Sequence, residues 1–108
     1  MPGKSPTRAR RTASRKTRAV TRLDDIPNVG PAIAADLRLL GIKGPDELAG
    51  RDPYALYDDL CRRTGVRHDP CLLDVFIAAV RYMEGGSKKP WWVFTAERKR
   101  VLATRGER

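Results

Sequence analysis

The chain has 108 residues, and its 22 Lys and Arg against 13 Asp and Glu give a formal net charge of +9. This length suffices for one modest hydrophobic core, so we predict a single folded domain with a tail. No apolar run is long enough for a membrane span or a signal peptide, which argues against a membrane protein and a secreted one. Together with two cysteines that lack a secretory context, this favours a cytoplasmic protein.

The positive charge is concentrated at the N-terminus, where residues 1–22 contain eight basic residues and no acidic one. The remaining residues carry fourteen basic and thirteen acidic side chains, so that part is nearly neutral. Residues 1–20 are rich in Pro, Gly, Ser and Thr and poor in large apolar side chains, which predicts a disordered basic arm. Such an arm binds nucleic acid without sequence preference. A solubilising tail and an organelle transit peptide are the alternatives.

A short helix is predicted from about Arg22 to Ile26, with Thr21 as its N-cap residue. Pro27 should end this helix, because proline biases the preceding residue away from helical angles. The turn that follows contains Asn28 and Gly30, two residues that tolerate the positive φ commonly needed in a tight reversal.

A second helix should begin at Pro31, whose φ is already set and which has no N–H to leave unpaired. Ile33, Leu37 and Leu40 form one apolar stripe along it, and Gly41 should end it in the left-handed conformation. The amides at its start lack helical partners, and the helix dipole adds partial positive charge there, which favours phosphate. The predicted binding residues are the six of this turn: Asn28, Val29, Gly30, Pro31, Ala32 and Ile33.

Two longer helices are predicted next, and each begins with an Asp-Pro pair. Asp52 and Asp69 should cap these helices, with the prolines at the first helical positions. The first helix runs to about Arg63 and the second to about Met83. The second is the most hydrophobic in the chain, which predicts the centre of the core. Its apolar face contains six residues: Leu72, Leu73, Phe76, Ile77, Val80 and Met83.

Cys61, His68 and Cys71 lie at or near the turn between these two helices. Structural zinc usually takes four ligands, and only three soft candidates are present, so we predict no metal site and expect two reduced, buried cysteines. A thiol sensor is the alternative, because a helix N-terminus lowers the pKa of a thiol such as that of Cys71.

The basic side chains of this second turn, Arg62, Arg63 and Arg67, are expected to form ordinary solvated surface. Their alternative role is to contact a nucleic-acid backbone as point charges. With one histidine, no nucleophile–base–acid set and no glycine-rich nucleotide loop, the sequence predicts no enzyme.

Aromatic residues Trp91, Trp92 and Phe94 follow two lysines near the C-terminus. They are able to cover the small helical core, or to stack on bases beside the lysines. A last helix is predicted from Ala96 to Ala103, with Thr95 as its cap.

The segment Ile26-Pro-Asn-Val-Gly-Pro-Ala-Ile-Ala-Ala-Asp-Leu37 resembles a helix-hairpin-helix motif, with Asn28 where that motif usually has its first glycine. This motif grips nucleic-acid backbone through main-chain amides, and its turn carbonyls are able to hold a monovalent cation. Across residues 21–100 the chain resembles the pathogenicity-locus family, short bacterial helix-hairpin-helix proteins often labelled mitomycin-resistance proteins. Four segments carry this resemblance: Asp25-Ile-Pro-Asn-Val-Gly-Pro-Ala32, Leu60-Cys-Arg-Arg-Thr-Gly65, His68-Asp-Pro-Cys71 and Pro90-Trp-Trp-Val-Phe-Thr95.

We therefore predict an all-α, compact five-helix domain at residues 21–103, followed by a frayed end at residues 104–108. The resemblance implies a helix-hairpin-helix motif and a degenerate second hairpin, arranged as a SAM-like orthogonal bundle. The expected function is non-enzymatic, sequence-independent DNA binding by the turn amides, aided by the basic arm. The alternative is a small helical module that docks onto a DNA-repair or other protein, with exposed aromatic anchors. The sequence leaves open the kind of nucleic acid and the oligomeric state.

Overall fold

The computed structural model describes residues 20–106, which contain four α-helices, three 3-10 turns and no strand. The predicted all-α class is confirmed. The predicted basic arm lies outside the described residues except for Val20, and so do residues 107 and 108. The α-helices are α1 (Pro31–Leu39), α2 (Pro53–Thr64), α3 (Pro70–Met83) and α4 (Thr95–Thr104). The 3-10 turns are Leu23–Asp25, Pro45–Glu47 and Trp91–Phe94.

The first predicted helix is a single 3-10 turn, so the described residues contain one α-helix fewer than expected. Its N-cap is Arg22 rather than the predicted Thr21, since the Arg22 N–H donates to Asp25 Oδ2 at 3.2 Å. Ile26 is already extended, with φ −71° and ψ 135°, as the residue before a proline prefers. The extended backbone at Ile26 therefore limits this segment to a single 3-10 turn.

Both Asp-Pro pairs start helices as predicted. The Asp52 carboxylate accepts the Tyr54 N–H at 2.9 Å, and the Asp69 carboxylate accepts the Cys71 N–H at 2.9 Å. Gly65, with φ +73°, ends α2 in the left-handed conformation that glycine adopts without strain. These caps are made within two residues of the chain, which is why the pattern identifies them.

Helix α3 is the centre of the core, as predicted, with buried side chains at every position from Leu73 to Val80. Helices α2 and α4 and the Trp91–Phe94 turn pack against it. Of the six predicted apolar residues, four are buried, while Leu72 and Met83 are partly buried against the same cluster. The cluster also includes Leu23 and Leu37, so the N-terminal elements share this core.

Asp74 is the one charged residue buried in α3, and it ties that helix to α4. Its carboxylate accepts the Thr95 hydroxyl at 2.7 Å and the Arg98 guanidinium at 2.9 and 3.3 Å. Thr95 is therefore not the predicted cap of α4. It is the first residue of that helix, and its hydroxyl faces the core.

No helix among residues 20–106 has both the length and the apolar character needed to cross a bilayer. The cytoplasmic location stays a prediction.

Candidate nucleic-acid interface

The segment from Ile26 to Ile33, which we call the Asn28 turn, reverses the chain between the first 3-10 turn and α1. Asn28 has φ +73° and is the one non-glycine residue with positive φ in the described part of the chain. Asparagine visits this region more readily than most residues. The Val29 N–H donates to the Ile26 carbonyl at 3.0 Å and closes the reversal. The left-handed conformation expected at Asn28 is therefore present.

Gly30 does not use the positive φ that its residue type allows. It is extended, with φ −93° and ψ −177°, and it is the N-cap of α1. The reversal is already complete at Asn28, so Gly30 needs only the extended backbone of an ordinary N-cap residue. A Cβ added there would meet nothing within 4 Å, so the space beside this backbone is open.

The amides at the start of α1 lie before its hydrogen-bond ladder. The first helical bond joins the Ala34 N–H to the Gly30 carbonyl at 2.9 Å. Gly30 has no side chain to cap the helix, and within residues 20–106 the N–H groups of Gly30, Ala32 and Ile33 have no acceptor. Three donors are thus left together at the positive end of the helix dipole.

The predicted site residues contribute mainly through their backbone. The Val29 side chain is buried, and that of Ile33 packs partly against the core. Pro31 and Ala32 are exposed. The first turn of α1 contains no acidic side chain that would compete with an incoming anion. The arrangement is therefore suited to hold an anion by main-chain donors rather than by charged side chains.

A C-terminal basic segment lies against this turn. The Asn28 Nδ2 donates to the Lys89 carbonyl at 2.7 Å, across 61 positions of sequence. Lys88 and Lys89 are exposed, and neither forms an ion pair with any residue from 20 to 106. Sequence reasoning missed this contact, because no local pattern links two segments so far apart.

Acidic groups are also near the turn, on the preceding 3-10 turn. The Arg22 guanidinium lies 3.0 Å from an Asp24 carboxylate oxygen, and this hydrogen bond lowers the pKa of Asp24. Asp25 accepts the Arg22 N–H. Both carboxylates are thus engaged with Arg22.

The turn between α2 and α3, residues 64–70, is closed by its own hydrogen bonds. The Tyr57 hydroxyl donates to the His68 carbonyl, and the His68 N–H donates to Cys61 Sγ at 3.5 Å. Thr64 Oγ1 lies 2.9 Å from His68 Nε2. Cys61 and His68 therefore come together, but no group of three or more His, Cys, Asp or Glu in the described residues is placed to hold a metal.

The predicted lowering of the Cys71 pKa is wrong. A side-chain interaction with Asp69 raises the pKa of this thiol, and partial burial and the Asp69 charge add to the effect. The carboxylate that caps the helix thus disfavours the thiolate of Cys71.

Two of the arginines at the second turn form ion pairs with a neighbouring carboxylate. Arg62 lies 2.6 Å and Arg63 3.0 Å from the carboxylate oxygens of Asp59. This agrees with the expected solvated surface, and the ion pairs, which were not predicted, leave less free positive charge than the sequence suggests.

The three aromatic residues near the C-terminus are divided between core and solvent. Trp91 and Phe94 pack partly against the core cluster, whereas the Trp92 side chain is 62% exposed and that of Val93 51%. A 3-10 turn has three residues per turn, so positions i and i+3 share one face. The expected packing against the core is therefore confirmed for Trp91 and Phe94, whereas Trp92 is exposed and its expected stacking on bases stays a prediction. The i, i+3 spacing of Trp91 and Phe94 was the signal that could have shown which side chains face the core.

The family profile described as Cdd1, pathogenicity locus, matches residues 16–100. The chain belongs to this family. It is 43% identical over 84 residues to a protein called mitomycin resistance protein McrB from Streptomyces lavendulae, in an alignment that covers 78% of this chain and 80% of that relative. No solved structure matches the chain.

Membership in the pathogenicity-locus family confirms the predicted resemblance. The family match spans both the Asn28 turn and the Trp91–Phe94 turn, so the candidate interface lies within the shared part of the chain. The relative's name concerns resistance to mitomycin and does not mention a ligand.

Proposed function

We propose that the Asn28 turn is the hairpin of a helix-hairpin-helix motif and that the protein is a non-enzymatic, sequence-independent DNA-binding protein. The observation that carries this proposal is the set of three amides at Gly30, Ala32 and Ile33, which have no acceptor within residues 20–106. A DNA phosphate supplies the missing acceptor and the negative charge that the helix dipole favours.

Sequence independence follows from the chemistry of this contact. Main-chain donors that reach phosphate oxygens fix position and orientation on DNA but do not distinguish bases. The carbonyls of the same turn would hold a monovalent cation, as the resemblance to helix-hairpin-helix proteins implies.

One phosphate contact is weak alone, so the protein needs further attachment points. Lys88 and Lys89 lie beside the turn and are free to neutralise neighbouring phosphates. The basic arm, residues 1–20, adds long-range attraction and a strong dependence on salt concentration.

The decisive variant is Gly30→Asp, which places a carboxylate over the three amides. The space beside Gly30 is open, and aspartate is a better N-cap than glycine, so the variant should fold and gain a few tenths of a kcal/mol of stability. Its carboxylate occupies the anion site and repels phosphate. We expect the affinity for duplex DNA, measured by fluorescence anisotropy, to fall about tenfold or more.

Two matched variants separate site occupation from added charge. Gly30→Asn has nearly the same shape without the charge, and its affinity should fall less than that of Gly30→Asp. Ala55→Asp adds the same charge at an exposed position in the first turn of α2, where Asp52 already caps the helix, and should change affinity less than twofold. Equal losses for Gly30→Asp and Ala55→Asp would contradict a contact at the turn.

The same measurement in a chain lacking residues 1–19 separates the turn from the arm. Binding that persists without the arm and is lost with Gly30→Asp supports the proposal. Binding that disappears with the arm and ignores Gly30→Asp would reduce the interaction to that of a polycation.

A protein-interaction module is the second candidate, and one observation favours it. Trp92 and Val93 expose large apolar side chains at adjacent positions, and such residues serve as anchors at protein interfaces. Under this candidate the partner is a DNA-repair or other protein, and Gly30→Asp has no effect on its binding.

A further inference from the structure

Resting on the proposed function, we infer that Trp92 is a base-stacking residue, so that the protein prefers single-stranded DNA to intact duplex. The phosphate held at the Asn28 turn and the base stacked on Trp92 belong to the same strand. This assigns a ligand contact to a side chain outside the turn and names the form of DNA that the surface fits.

The two contacts are physically connected. Lys89, whose carbonyl accepts a hydrogen bond from Asn28 at 2.7 Å, precedes Trp92 by three residues. Three residues of chain span at most about 11 Å, so the backbone of Trp92 lies within a few nucleotides of a phosphate at the turn. The hydrogen bond fixes this relation, because it joins the two segments directly.

The indole of Trp92 is both exposed and supported. It is 62% exposed, and its ring lies 5.7 Å from that of Trp91 at an interplanar angle of 84°. Trp91 in turn packs against the core, so it acts as a fixed support. A ring that is held at its edge and open to solvent loses little conformational freedom when a base stacks on it.

The charges around Trp92 are complementary to a polyanion. Lys88 and Lys89 precede it without ion-pair partners in residues 20–106. The carboxylate of Glu97, five residues after Trp92 in the chain, is paired with Arg81. A nucleic-acid strand would therefore bring its phosphates toward free cations and its bases toward an aromatic ring.

Stacking on Trp92 requires a base whose face is available. In a duplex the bases stack on one another, whereas an unpaired base offers its face to an aromatic side chain. All four bases have such a face, so the contact preserves sequence independence while selecting single strands.

The test uses the full chain and three labelled DNA probes: a single strand, a duplex whose ends are closed by non-nucleotide linkers, and a single strand with abasic sites. We expect Trp92→Ala to weaken binding to the single strand about 5- to 150-fold, the range for one lost base–aromatic stack. Binding to the duplex and to the abasic strand should change less than twofold. Trp92→Phe should restore most of the affinity, because it retains an aromatic face.

Val93→Ala is the matched control, since Val93 is a neighbouring exposed apolar residue in the same turn. It should leave binding to all three probes unchanged. Circular dichroism of each variant should match the parent, because neither side chain belongs to the buried core.

Four outcomes would overturn the inference. If Trp92→Ala binds the single strand as the parent does, or weakens all probes equally, no base stacks on this ring. In either case a loss caused by Gly30→Asp still supports phosphate binding, so the two proposals fail separately. If the parent binds none of the probes, the proposed function fails and this inference with it. An effect of Trp92→Ala confined to a protein partner would make this surface a protein-docking site instead.

Discussion

The turns that precede α1 and α3 differ in whether they supply a hydrogen-bond acceptor to the first N–H groups of the helix that follows. At the second turn, Asp69 supplies a carboxylate to the Cys71 N–H, and the His68 backbone has partners for both its N–H and its carbonyl. At the first turn, Gly30 supplies no side chain, and the amides at the start of α1 have no acceptor among the described residues. The start of a helix is open to an external anion only where the sequence provides no anion of its own.

The basic residues beside the two turns differ in the same way. Arg62 and Arg63 have many donors but share Asp59. Lys88 and Lys89 lie beside the first turn and have no ion-pair partner in the described chain. We therefore expect an anion to bind beside Lys88 and Lys89 rather than beside Arg62 and Arg63, although all four are basic.

The largest effect, a loss of unfolding free energy, is expected from Asp74→Ala, which removes the ion pair between α3 and α4. The substitution leaves the Arg98 side chain, which is 11% exposed, without its carboxylate partner. Loss of one member of a buried ion pair typically costs about 3–5 kcal/mol. Urea denaturation should show this loss. Asp58→Ala is the control, because it breaks the exposed pair with Arg105 and should cost less than about 1 kcal/mol. Similar losses of unfolding free energy for the two variants would contradict the claim that the Asp74–Arg98 pair is buried.

Asn28→Ala tests the first of the two turns alone, because it should strain the backbone there and lower the stability of the protein. Alanine in the left-handed region costs about 1–2 kcal/mol, and the lost hydrogen bond to Lys89 costs roughly 1 kcal/mol more. Asn28→Gly removes the hydrogen bond but keeps the conformation, so it should be the milder variant in a denaturation experiment. If both variants were equally unstable, the positive φ of Asn28 would not be a source of strain.

Paired charge removals test whether ion pairing decides which basic residues bind DNA. Replacing Lys88 and Lys89 together by glutamine should weaken DNA binding several-fold and reduce the salt slope by about 1–2. Replacing Arg62 and Arg63 together removes the same charge and should change affinity less than twofold. An anisotropy titration over a salt series measures both quantities. Equal effects would mean that overall charge, not its location, governs binding.

The smallest effect concerns the pH dependence of the second turn. The hydrogen bond from the Cys71 N–H lowers the pKa of Asp69 in the folded protein. The cap therefore contributes stability above the ordinary pKa of an aspartate, and this contribution is lost as the pH falls through the lowered folded pKa. Asp69→Asn removes this titration, so the difference in melting temperature between parent and variant should shrink below about pH 4. If this difference in melting temperature stays constant with pH, the ionised form of Asp69 is not what stabilises the helix start.

The sequence predicted those features that depend on neighbouring residues. The Asp-Pro pairs predicted the starts of α2 and α3, because a cap joins residues only two positions apart. The apolar face of α3 predicted the centre of the core, because its spacing follows the helical period.

Long-range pairs could not be predicted in the same way. The bond between Asn28 and Lys89 and the pairing of Asp74 with Arg98 depend on how the chain folds back on itself. For the same reason Thr95 looked like a cap, although its hydroxyl faces Asp74. At the candidate site, the turn conformation was predictable from Asn28, whereas the attached lysine segment and the exposure of Trp92 were not.

The most direct measurement of the central claim is an amide NMR titration of the full chain with a short DNA duplex. We expect the largest chemical-shift changes at the N–H groups of Gly30, Ala32 and Ile33, because these donors bind the phosphate. The Cys71 N–H, which already donates to Asp69, should not move. Shifts confined to residues 1–19, or changes at Cys71 as large as those at Ala32, would contradict the claim that the open turn is the binding site.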